Sequence, residues 1–154
     1  MSRHDDVLSD ITGQIRDAPA ATGAMRAAVA TLKRRMPDYS WVGIYLLDGN
    51  ELVLGPFEGK PSPHTRIPLG RGICGAAAAQ KATIIVPDVN ADPRYLACSI
   101  ETKSEIVVPI MAGRDVLGEI DVDSDRLAAF ERADQTLLEA VAALLADRMS
   151  GGSR

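Results

Sequence analysis

The side chains best equipped for chemistry are a thiol, Cys98, and the four carboxylates that follow it: Glu105, Glu119, Asp121 and Asp123. The runs 105–111 and 116–123 are rich in β-branched residues and flank a turn at Gly113, which predicts a β-hairpin behind a loop thiol. Side chains alternate along a strand. Val116, Gly118, Ile120 and Val122 therefore share one face, and Leu117, Glu119, Asp121 and Asp123 the other. Pairing Ile106, Val108 and Ile110 with Ile120, Gly118 and Val116 makes one face wholly apolar and sets Glu105 opposite Asp121. A slip by one residue would send the carboxylates into the core. Like charges side by side on a sheet destabilise it by up to about 1 kcal/mol. Four acids near one sheet end, within reach of a thiol, point to a cationic or proton-accepting ligand. The plain alternative is a solvated acidic face.

The second thiol, Cys74, lies in the run GRGICG (70–75). That run fits the dinucleotide-binding pattern G-x-G-x-x-G, but a nucleotide site also needs a βαβ unit, and the following elements read as hairpins. Gly70 and Gly72 instead permit a tight turn that opens a small alanine-rich helix with Cys74 in its first turn. A thiol there has its pKa lowered by the orphan amides; a small buried cysteine beside alanines is the other reading. Asp121, Asp123 and Asp125 imitate the start of a calcium loop. The imitation fails, with Arg126 at the required glycine and Arg132 at the bidentate glutamate. Cys74, Cys98, His4 and His64 have no zinc spacing, so neither a metal nor a bound cofactor is expected. Trp41 and Tyr45, four apart on one strand, share a face: core packing, or a pocket wall for a small apolar or sulfur-containing group.

These groups need a scaffold, and 154 residues with 46% hydrophobic and 25% charged side chains suffice for one domain, 1–154. A net charge of -4 gives no basic stripe for nucleic acid. No apolar run is long enough to span a membrane, and the N-terminus does not read as a signal peptide. A reducing cytosol is expected, where two thiols are inert or form a transient redox pair. Periodicity predicts helices over 5–16 and 20–36, then a hairpin of strands 39–47 and 51–57 around Asp48-Gly49-Asn50. Short strands at 65–67 and 83–86 flank the alanine helix, and Asp92-Pro93 signals a helical turn. A long amphipathic helix begins at 128 or 131 and runs to 149. N-terminal helices (1–36), a sheet with pocket loops (39–123) and a C-terminal helix (128–149) make an α+β fold.

The blocks SWVGIYLL, LVLGPFEGK, RIPLGRGICG, YLACS, SEIVVPI and GEIDVDS, in that order from Ser40 onward, resemble the free methionine-(R)-sulfoxide reductases, a family of stand-alone GAF-domain enzymes. The resemblance implies a central antiparallel sheet with the terminal helices on one face and a ligand pocket on the other, often in homodimers. It places the family's nucleophile on Cys98, a partner cysteine on Cys74, and substrate-binding positions on Trp41, Tyr45, Glu105, Asp121 and Asp123. His64 stands where many members carry a further cysteine, which leaves resolution of the sulfenic acid to Cys74. The implied chemistry is thiol reduction of free methionine sulfoxide, with a thioredoxin-type dithiol as reductant. Crowded carboxylates keep one carboxyl protonated near neutral pH, which supplies an acid, and raise the pKa of a nearby thiol. The rival reading is a non-catalytic GAF module that senses a small ligand; a scaffold that only dimerises gives no reason for four acids on one face.

Overall fold

Six strands form one antiparallel sheet in the order β3-β2-β1-β6-β5-β4. The computed structural model describes residues 2–96 and 101–151. The strands are β1 (Trp41–Asp48), β2 (Glu51–Glu58), β3 (Arg66–Pro68), β4 (Ile84–Val86), β5 (Ser104–Ala112) and β6 (Asp115–Ser124). The helices are α1 (Arg3–Asp17), α2 (Ala21–Arg35), α3 (Gly72–Gln80) and α4 (Arg132–Met149). The expected α+β class and both long hairpins are present.

One face of the sheet is covered by α1, α2 and α4. Val7, Ile11 and Ile15 of α1 recur every fourth residue and are buried together with Met25, Val29 and Leu32 of α2 and Leu137, Leu138, Val141 and Leu145 of α4. They pack against Ile106, Val108 and Ile110 of β5 and Ile120 and Val122 of β6. Each such aliphatic contributes about 1.5–3 kcal/mol by leaving water. A buried carboxylate pins the layer. Asp134 accepts a 2.7 Å hydrogen bond from the Tyr39 hydroxyl, lies 3.0 Å from His4 Nε2, and closes the α4 N-terminus by accepting from the Glu131 amide at 2.9 Å. Helix α1 starts with the same device, Ser2 and Asp5 forming a capping box.

Three expectations are corrected. The hairpin register is displaced by two residues: Glu105 pairs with Asp123, Ile106 with Val122, Val108 with Ile120 and Ile110 with Gly118. The connection is a tight Gly113-Arg114 turn between Ala112 and Asp115, and a bulge leaves Leu117 without a partner between the pairs Ile110–Gly118 and Met111–Val116. A bulge reverses the alternation beyond it, so Leu117 joins the helix layer and Val116 the opposite face. A displacement by two keeps every other side chain on its expected face. The helical turn falls at Val89–Ala91, capped by Asp88, and Asp92 terminates it rather than starting it. Helix α4 begins at Arg132, not at 128, because Ala128 has a left-handed φ of 50°.

Candidate active site

Strand β6 runs between β1 and β5, so each of its residues has a neighbour on both sides. On the face away from the three large helices this produces three rows: Trp41–Asp123–Glu105, Gly43–Asp121–Val107 and Tyr45–Glu119–Pro109. All four acids are interior. Glu105 is 4% exposed, Glu119 0%, Asp121 2% and Asp123 4%, which excludes a solvated acidic face. Glu119 has no hydrogen-bond partner on either oxygen, and Asp121 and Asp123 each leave Oδ1 without one.

Helix α3 covers this face. Gly70 and Gly72 adopt φ of 84° and 67°, which delivers the chain into the helix as the glycine spacing predicts. Cys74 then points down onto the sheet, and its Sγ donates to Asp121 Oδ2 at 3.3 Å. Its thiol pKa is pushed well above the ordinary value, first by burial and then by the negative charge of Asp121, Glu119 and Glu105. The expected lowering by the helix N-terminus is overturned: the adjacent acids and the lack of water outweigh the orphan amides. Burial likewise raises the carboxyl pKa of Glu119, Asp121 and Asp123, with the Asp121 charge adding to the rise at both neighbours. Burial, more than the crowding expected from the sequence, is thus what shifts these carboxyls toward the protonated form.

A cavity opens at the Trp41–Asp123 end of the acid row, and Ser40, Trp41, Lys60, Ser62, Glu101 and Asp123 are among the residues that line it. The Trp41 indole stacks on Phe57 at 5.7 Å and donates Nε1–H to the Lys60 carbonyl at 2.9 Å. Tyr45 lies deeper, 1% exposed, with its hydroxyl donated to the His64 carbonyl at 2.8 Å. The two aromatics thus tie the 59–65 loop to β1, and only Trp41 reaches the mouth. Lys60 and Glu101 form an exposed ion pair at the rim.

The structure therefore brings together Cys74, Glu105, Asp121, Asp123, Trp41 and Tyr45. Cys98 lies outside the described residues. Two further participants carry no reactive signature in the sequence. Gly43 sits between Trp41 and Tyr45 on their face, and a Cβ there would lie 2.2 Å from the Trp41 ring, so only glycine lets the indole fold across the strand. Its signal was the small residue between two aromatics at even spacing. Lys60 acts through its backbone carbonyl, which any residue type supplies. A set of donor atoms also emerges that spacing did not reveal: Cys74, Glu105 and Asp121 each offer one, all within 4.8 Å of one another. They come from α3, β5 and β6.

An antiparallel sheet with helices behind it and a covered pocket in front defines a GAF domain, and the GAF domain family model matches residues 21–149. The chain is 39% identical to the free methionine-R-sulfoxide reductase of Escherichia coli, over 75% of this chain and 70% of that one. It is 46% identical to the enzyme of the same name from Saccharomyces cerevisiae over 70% of this chain, spanning 62% of the yeast protein. The structure of free methionine-R-sulfoxide reductase from Neisseria meningitidis, in complex with its substrate, superposes with a TM-score of 0.90 at 39% identity, covering 96% of this chain and 88% of that one. The chain belongs to the free methionine-R-sulfoxide reductase family of GAF-domain proteins and is an oxidoreductase.

Proposed function

We propose that the protein reduces free L-methionine-(R)-sulfoxide to methionine at the cavity bordered by Trp41 and Asp123, where the buried acid row ends. The observation that carries this reading is the buried row of acids running from Asp123 at the mouth to Asp121, where the Cys74 sulfur is held at 3.3 Å. The substrate is an amino acid with an ammonium group and a polarised S–O bond. Carboxylates of Glu105, Asp121 and Asp123 bind the ammonium, and the Trp41 ring receives the S-methyl group. One protonated carboxyl donates to the sulfoxide oxygen. The Cys98 thiolate takes up that oxygen as hydroxyl, forming a sulfenic acid while methionine departs with the electron pair. Cys74 then passes its proton to Asp121, attacks the Cys98 sulfur and expels the hydroxyl as water, leaving a Cys74–Cys98 disulfide. A thioredoxin-type dithiol reopens it by exchange. The roles of Cys98 and of thioredoxin and the homodimeric state rest on the family resemblance, and the cytosolic setting on the cysteine usage.

The test is anaerobic incubation with each sulfoxide epimer and a dithiol. Consumption of the R epimer alone is expected, with none by Cys98→Ser. Cys74→Ser keeps turnover driven by dithiothreitol and loses that driven by thioredoxin. Turnover surviving in Cys98→Ser would overturn the proposal.

A further inference from the structure

We infer that the Lys60 side chain, at the rim of the cavity, binds the carboxylate of the substrate in exchange for Glu101, and so selects free methionine sulfoxide over the same residue within a peptide. The inference rests on the reductase reading, which leaves the substrate's own carboxylate without a partner.

Charge supplies the first argument. Free methionine sulfoxide is a zwitterion whose ammonium and carboxylate hang on one carbon. A cavity that holds it needs an anionic and a cationic group side by side. Among the described residues that line this cavity, Lys60 is the one cation, whereas Glu101, Asp123 and Asp125 are acids. Without Lys60 the lining that attracts the ammonium would repel the carboxylate beside it.

Position supplies the second. The backbone of Lys60 is held against the Trp41 indole, whose Nε1–H donates to the Lys60 carbonyl at 2.9 Å. Gly59, with a φ of 124°, comes so close to the same ring that a Cβ there would lie 2.7 Å from Trp41 Cδ1. The ring assigned to the S-methyl group therefore also fixes the root of the lysine side chain. At the far end of that side chain, Nζ pairs with Glu101. The two partners are 76% and 52% exposed, and an ion pair so open to water is weak. Exchanging Glu101 for a ligand carboxylate keeps Lys60 paired, so the step costs little. Within a peptide the carboxylate has become an uncharged amide, and Lys60 stays with Glu101.

The test is calorimetric binding of L-methionine-(R)-sulfoxide and of its carboxamide to reduced Cys98→Ser protein at about pH 6, where the α-amino group of both ligands is protonated. Lys60→Met keeps the backbone carbonyl and an unbranched stem. Added to Cys98→Ser, it is expected to weaken binding of the acid about tenfold or more, as loss of a charge-assisted hydrogen bond does, and to leave binding of the carboxamide unchanged. Glu101→Gln removes the competing carboxylate and is expected to strengthen binding of the acid by up to about fivefold. With Cys98 present, Lys60→Met raises KM for the free sulfoxide and keeps kcat. Equal loss for both ligands, or no loss for the acid, would overturn the role of Lys60, and weaker binding of the acid to Glu101→Gln would overturn the exchange. If the reductase reading itself were wrong, neither ligand would bind the Cys98→Ser protein.

Discussion

The two faces of strands β5 and β6 are built from alternate residues of the same chain segment, and both are buried, yet they do opposite things. Ile106, Val108, Ile120 and Val122 fill the helix face with aliphatic carbon. Between them, Glu105, Asp121 and Asp123 crowd the other face with carboxyl groups, and burial makes the two aspartates harder to ionise. The first face supplies stability and no chemistry. The second concentrates chemistry at the expense of stability, since Asp121 and Asp123 each leave a buried oxygen without a hydrogen bond. Period-two alternation lets one hairpin carry both without either set intruding on the other.

The sharpest way to break this comparison is to exchange one residue on each face. Asp123→Asn is expected to lower kcat/KM for methionine-(R)-sulfoxide by about 10²–10⁴, the usual worth of a positioned acid, while unfolding free energy stays level or rises. Ile120→Ala should do the reverse, losing about 2–5 kcal/mol of stability with kcat per folded molecule intact; urea unfolding and steady-state kinetics on both variants decide it. Gly43→Ala drives a methyl group into the Trp41 ring. Overpacking of that kind costs about 1–3 kcal/mol, and displacing the indole should raise KM about tenfold while kcat falls less.

Glu119→Gln sharpens the electrostatic half. Its folded pKa is raised above that of the unfolded chain, as are those of Asp121 and Asp123. The native state therefore holds extra protons above about pH 4, and its stability is greatest below that point and falls as pH climbs through the raised folded values. The slope is up to about 1.4 kcal/mol per pH unit for each proton. Glu119→Gln should remove one group's share of it, measured by denaturant unfolding across a pH series. The smallest effect belongs to the helix layer: Tyr39→Phe removes the hydrogen bond to Asp134 and should cost about 1 kcal/mol, with activity unchanged.

Much of the scaffold was legible in the sequence because its signals are local. The aliphatic stripes marked the buried sides of α1, α2 and α4, and the alternation of β6 put its residues from Gly118 to Asp123 on the correct faces. The register was not legible, because the Leu117 bulge and the Gly113-Arg114 turn trade off against each other and no pattern of side chains distinguishes a displacement by two. The acids of β6 could be grouped from alternation alone. Their burial could not, since it depends on α3 folding across the sheet from a distant part of the chain. The same long-range contact reversed the sign expected for Cys74: its helix position was readable, but the three carboxyls beneath it come from strands found later in the chain. Gly43 and the Lys60 carbonyl act through space left open and through backbone, which residue type does not announce.

The account's central claim is that the buried acid row is the seat of substrate recognition. Calorimetric titration of free L-methionine-(R)-sulfoxide into Cys98→Ser protein, with and without Asp121→Asn and Asp123→Asn, tests it most directly. Saturable binding to Cys98→Ser that weakens at least about tenfold with either added change is the predicted result. Equal affinity in all three proteins would contradict it.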